Sequence, residues 1–150
     1  MNVIEYYESE TKEQWLKQLK ECQWGAAKFL VKLIEENNFY ETLGEGAKLY
    51  LMENSGELVA FCTLAPKDCI EDDNLKPWIG FVYVMKPHRG NRLSEKLMNY
   101  ACDIAKCNGS EKVYIATDHV GLYEKYGFVY MENRMDVWGD DCRVLYKEVL

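Results

Sequence analysis

Residues 78–97 limit the possible folds of this chain more than any other stretch. Trp78-Ile79-Gly80-Phe81-Val82-Tyr83-Val84-Met85 is a nearly uninterrupted apolar run, the pattern of a central strand buried on both faces. The run stops at Lys86-Pro87. From Asn91 the period changes, and Leu93, Leu97, Tyr100, Ala101 and Ile104 mark one face of a helix ending near Asn108-Gly109. Lys112–Ala116 follows as a short strand, so the segment reads as a strand-helix-strand crossover.

The flanking sequence adds helices before the crossover and strands on both sides of it. Asn2–Tyr7 is a short strand. Thr11, with Gln14 three residues on, resembles a capping box opening a helix that carries Trp15, Leu16, Leu19 and Cys22. A second helix is expected over Trp24–Glu36, ended by Asn37-Asn38. Lys48–Met52 and Glu57–Leu64 read as a β-hairpin around Asn54-Ser55-Gly56, and Lys67–Lys76 as a polar loop ended by Pro77. Beyond the crossover come a brief helix over Val120–Tyr126 and strands at Phe128–Met131 and Arg143–Val149. These elements describe an α+β domain with a mostly antiparallel sheet, and 150 residues fit one such domain spanning 1–150.

Charge and cysteine usage narrow the class. A net charge of −7 and a pI near 4.9 disfavour a general polyanion partner, so no nucleic-acid partner is expected. Met1–Glu10 has no apolar core of a leader, and no run approaches the ~18 apolar residues of a membrane span; the expected location is the cytoplasm. The six cysteines lack CxxC spacing and are expected as reduced thiols, with Cys62, Cys102 and Cys142 packing as small hydrophobes. Two histidines, His88 and His119, do not suggest a metal site.

The chemistry concentrates in His88-Arg89-Gly90-Asn91-Arg92-Leu93-Ser94, between the strand and the helix. A helix start offers several unpaired N–H donors and about half a positive charge, which suits a diphosphate, and Arg89 and Arg92 add two guanidinium charges. The plainer reading is a turn in which Gly90 supplies a positive φ and the arginines are solvated.

Arg89-Gly90-Asn91-Arg92-Leu93-Ser94 resembles the acetyl-CoA signature of the GNAT superfamily of N-acetyltransferases, Arg/Gln-x-x-Gly-x-Gly/Ala. Arg89 and the small Ser94 fit it, while Arg92 stands where that family usually has glycine. Leu122-Tyr123-Glu124-Lys125-Tyr126-Gly127-Phe128 is similar to a later motif of the same family, and the order of elements agrees over essentially the whole chain. The resemblance implies a three-layer α/β/α fold with a mixed, mostly antiparallel sheet of six to seven strands and about four helices.

It also implies an activity: acetyl transfer from acetyl-CoA to a primary amine of a small molecule or peptide, by direct attack in a ternary complex and without a metal. Val82, Tyr83, Val84, Arg89, Gly90, Asn91, Arg92, Leu93, Ser94, Asp118 and Tyr123 are the implied cofactor-binding positions. The N–H of Val84 or Met85 is the implied oxyanion donor, and Tyr123 the implied acid for the departing thiolate. Tyr126 is read as core. Glu71, Asp72 and Asp73 either take the amine proton through water or attract a cationic acceptor, and Asp118 and His119 lie near the expected cleft. The expected assembly is a monomer or homodimer. Two other functions stay open: a CoA-binding sensor without turnover, suggested by Arg92, and an interaction domain displaying some of the four tryptophans.

Overall fold

A computed structural model describes residues 1–150. Seven strands form one sheet in the order β1-β2-β3-β4-β5-β7-β6: β1 Asn2–Glu5, β2 Lys48–Asn54, β3 Glu57–Ala65, β4 Trp78–Val84, β5 Lys112–Thr117, β6 Val129–Met135 and β7 Asp141–Glu148. Every neighbouring pair is antiparallel except β4 with β5. Four α-helices complete the fold: α1 Lys12–Lys20, α2 Gly25–Glu35, α3 Phe39–Leu43 and α4 Leu93–Cys107.

Alternation along the inner strands sorts the helices into two layers. Leu49, Leu51 and Phe61 point to one face and bury Trp15 and Leu19 of α1, Leu30 and Ile34 of α2, and Phe39 of α3. Tyr50, Met52, Ala60 and Cys62 point to the other and pack on Leu97, Met98, Ala101 and Ala105 of α4. β2 and β3 are therefore covered on both faces, which is why their sequences read as apolar runs. Ile70 of the β3–β4 loop covers Trp78, Tyr114, Cys142 and Val144 at a third, smaller core.

Several sequence expectations are corrected. Thr11 makes no capping hydrogen bond; the amides of Gln14 and Gln18 instead donate to the Gly56 carbonyl at 3.3 and 3.0 Å, tying α1 to the β2–β3 turn. α3 was not foreseen. Gly121 lies at φ 92 and interrupts the expected helix over 120–126, leaving only a 3₁₀ turn at Tyr123–Tyr126. β4 is buried on both faces only at Trp78 and Ile79; from Gly80 to Val84 it is half-buried, because a cleft opens there.

That opening comes from two departures from regular pairing. β4 and β5 share a single parallel register pair, Trp78 with Tyr114, and then separate. On its other side β4 bulges: between the pairs Phe61–Tyr83 and Thr63–Gly80, β3 contributes one residue and β4 two. Phe81 sits in the bulge at φ 52, a left-handed conformation that re-aims its neighbours.

Candidate active site

The cleft runs between the separated ends of β4 and β5 and holds about 820 Å3. Ile79–Val82 of β4 form one wall and Ile115–His119 of β5 and its loop the other, with the β3–β4 loop above. Of the site residues singled out in the sequence, Glu71, Asp72, Asp73, Val82, Asp118, His119 and Tyr123 line it. Tyr83, Val84 and Arg89–Ser94 lie further along β4 and in the turn beyond it, outside the cleft lining.

Ladder alternation decides which β4 amides are free. The Met85 N–H donates to the Val59 carbonyl at 2.8 Å, so Met85 is excluded as an oxyanion donor. In an antiparallel ladder the next pair, Val84 with Ala60, points its main-chain groups away from the partner strand. Val84 therefore faces the side from which β5 has separated. Its carbonyl accepts the Arg89 Nε at 3.0 Å, and the Arg89 guanidinium lies 5.1 Å from the Tyr83 ring centroid. Arg89 is folded back along β4.

The turn into α4 has an unusual donor content. The N–H groups of Gly90, Asn91, Arg92, Leu93, Ser94 and Glu95 donate to no protein atom; the first amide of the helix to do so is Lys96, to the Arg92 carbonyl at 3.2 Å. Gly90 is at φ 91 and Arg92, the N-cap, at φ 57 and ψ 32. Arg92 thus holds the left-handed backbone that glycine adopts without cost. Its side chain turns outward, 70% exposed, to Glu95 at 2.7 Å.

Tyr123 lies at the inner end of the cleft, 9% exposed, and its hydroxyl makes no hydrogen bond within the chain. Burial raises its pKa, and neighbouring Tyr126 and Cys62 add to the rise. Tyr126 is half-buried and not simply core: its hydroxyl is 2.8 Å from the Ser94 Oγ, tying this turn to the start of α4. The Ser94 side chain is thereby engaged while its N–H stays free. Arg143 fixes the preceding loop, binding Glu124 at 3.0 Å and the His119 carbonyl, and Glu124 also accepts the Gly121 N–H at 3.1 Å.

The acidic loop does not act as one unit. Asp72 is bound to Arg134 at 3.0 Å and caps the Asn74 N–H at 2.9 Å; these hydrogen bonds hold its carboxyl below the ordinary range. Glu71 is exposed. Asp68, passed over in the sequence in favour of Glu71, Asp72 and Asp73, is the carboxylate pressed against β4. A methyl group on Gly80 would overlap an Asp68 oxygen, so only glycine at 80 admits the carboxylate there. Burial raises the Asp68 pKa, with the Cys69 N–H and thiol pulling the other way. Beside it the Thr63 hydroxyl is fully buried without a hydrogen-bond partner. The signal available in the sequence was Gly80 itself, a lone glycine inside a strand of large residues.

A search of curated protein sequences finds no match. Among solved structures, an aminoglycoside 6'-acetyltransferase type Ii superposes with a TM-score of 0.74 at 16% identity, covering 100% of this chain and 98% of that one. An aminoglycoside 6'-N-acetyltransferase complexed with coenzyme A gives 0.70 at 15%, with 100% and 98% covered. A GNAT family acetyltransferase from Elizabethkingia anophelis with acetyl-CoA bound gives 0.65 at 18%, with 98% and 97% covered. At such identities the likeness concerns the fold. The sequence itself is more specific: residues 4–128 match the model of the acetyltransferase (GNAT) family, and the chain belongs to that family.

Proposed function

We propose that this protein transfers the acetyl group of acetyl-CoA to a primary amine by direct attack within the β4–β5 cleft. The observation that carries the reading is the run of six undonated amides from Gly90 to Glu95 at the start of a 15-residue helix, where β4 ends. Such a run, with the positive end of the helix dipole, suits a diphosphate. Val84, with its N–H turned to the open side of β4, suits an amide-bearing arm lying along the strand toward the cleft.

Within this reading Asp68 takes a proton from the ammonium form of the acceptor. Burial biases it toward a higher pKa than an exposed carboxylate, as a base working near neutrality requires. Glu71 then attracts the cationic amine, while Asp72, already paired with Arg134, holds the loop in place. The freed nitrogen lone pair forms the new C–N bond at the thioester carbonyl, and main-chain N–H groups of the bulged strand receive the developing oxyanion. As the C–S bond breaks, Tyr123 protonates the departing thiolate, and the acylated nitrogen sheds its second proton to water, from which the phenol is restored; the Tyr123 hydroxyl has no competing partner in the chain. Binding without turnover was suggested by Arg92; its outward side chain bears on binding, which both readings share, and thiol release separates them.

Two measurements test the proposal. Acetyl-CoA should raise the melting temperature by mass action, and release of CoA thiol with an amine panel should fall at least tenfold in Tyr123→Phe. Unchanged melting, or thiol release indifferent to Tyr123→Phe, refutes it.

A further inference from the structure

The outer half of the cleft is not a generic amine site. Phe29 of α2 lies against Phe81 of the bulge, centroids 6.3 Å apart at 24°, and meets Trp138 of the β6–β7 loop edge-on, 5.8 Å apart at 85°. Trp24, stacked on Tyr83 at 5.2 Å, extends the same wall. Trp138 is 62% exposed, yet its loop is firmly built. The Asp136 carboxylate accepts the N–H of Trp138 and of Asp140, each at 2.9 Å, and the Asp136 N–H donates to the Asp140 carbonyl at 2.8 Å. An indole displayed on so ordered a turn leaves a large apolar area uncovered at the mouth of the cleft.

The charged part of the lining is mostly acidic. Asp68, Glu71, Asp72, Asp73 and Asp118 face the cleft, with Lys67 and His119 the only basic side chains among its lining. The two halves are joined directly: the Val137 N–H donates to the carbonyl of Cys69, the chain neighbour of Asp68, at 2.9 Å. A ligand touching both Trp138 and Asp68 therefore needs only a short tether between an apolar group and a cation.

We infer that the acceptor is a primary amine carried by a short alkyl tether on an aromatic ring, with Trp138 as the residue that selects it. Phe29 and Trp138 form a right-angled corner, and a third ring there stacks offset on one plane while standing edge-on to the other. Its ammonium group reaches the carboxylates. A linear diamine satisfies the acidic side but leaves the aromatic corner bare, and a polyhydroxylated aminosugar buries hydroxyl groups against it without partners.

The inference rests on the proposed acetyl transfer, and one experiment separates the two. CoA thiol release is measured with acetyl-CoA and, in turn, 2-phenylethylamine, 1,4-diaminobutane and an aminoglycoside, for the native chain, Trp138→Ala and Trp138→Phe. We expect kcat/KM for 2-phenylethylamine to exceed the other two at least tenfold. Trp138→Ala should raise its KM at least fivefold with kcat within a factor of two, a larger change than for 1,4-diaminobutane, and Trp138→Phe should restore most of the loss. Turnover that favours the diamine or the aminosugar, or a Trp138→Ala loss equal for all three amines, overturns the aromatic assignment alone. No thiol release from any amine overturns acetyl transfer and the assignment with it.

Discussion

Replacing Gly80 by alanine tests the placement of Asp68, because the sign of the effect depends on one neighbour. In an ordinary strand the change from glycine to alanine stabilises by about 0.5–1 kcal/mol. Here the new methyl overlaps an Asp68 oxygen and meets the Asp68 carboxyl carbon and the Thr63 Oγ1 at 3.2 Å each. Overpacking of this kind costs about 1–3 kcal/mol, so Gly80→Ala should destabilise the native chain by roughly 1–2 kcal/mol net. With Asp68→Ala in place the overlap is gone, and only the Thr63 hydroxyl, which has no hydrogen bond to break, must yield. The same Gly80→Ala step should then be neutral or stabilising by about 0.5 kcal/mol. Urea denaturation of the four proteins gives the coupling directly, expected at about 1–2.5 kcal/mol, alongside a loss of thiol release of at least tenfold in Gly80→Ala. Additivity of the two substitutions within about 0.5 kcal/mol would refute a carboxylate seated over Gly80.

Two further outcomes follow from the same geometry. At position 92 the left-handed backbone penalises alanine but not glycine, so Arg92→Gly should be more stable than Arg92→Ala by about 1 kcal/mol in thermal melts, with acetyl-CoA affinity retained in Arg92→Gly. At Asp68 the folded pKa lies above the unfolded value, so the ionised form weakens the fold: stability is lost as pH rises from the unfolded pKa to the folded one and stays lost above it. Asp68→Asn removes that loss, and its stability advantage over the native chain should grow with rising pH through the acid range and then level off, while its thiol release falls; an advantage that shrinks with pH refutes the raised pKa.

How far the sequence speaks depends on whether a feature is local. The α4 helix and the β2–β3 hairpin were legible because apolar period and turn residues are local properties, and their ends fall within two residues of the expected ones. The five-residue α3 was not, since Phe39–Leu43 is too short to show a period. Burial of β4 was misjudged for a physical reason: Phe81, Val82 and Tyr83 are equally apolar whether a helix or a cleft covers them, and the bulge between Phe61 and Thr63 leaves no mark in composition. Thr11 and Gln14 had the spacing of a capping box, but the Gly56 carbonyl, 42 residues away from Gln14, competed successfully for the amide. The acidic loop showed that carboxylates were near the site. Which of them is drawn inward depends on the close approach of Asp68 to Gly80 and on Arg134 claiming Asp72, both contacts between distant parts of the chain.

The strain in the backbone falls where the proposed chemistry needs it. Four non-glycine residues adopt positive φ: Asn37, Ser55, Phe81 and Arg92. Asn37 follows the end of α2 and Ser55 lies in a hairpin turn, positions where the left-handed conformation is ordinary and short polar residues tolerate it. Phe81 and Arg92 are not such residues, and each costs of order 1–3 kcal/mol. They flank the segment that links the acceptor cleft to the amides of α4. Phe81 opens the β4 ladder and places its ring against Phe29, and Arg92 lets the chain enter α4 with its amides free. A sequence selected for stability alone would carry glycine at 92 and regular pairing at 81. Glycine at 92 would hold the same turn without strain, so of the two positions only the bulge at Phe81 carries a cost that the proposed thioester site explains.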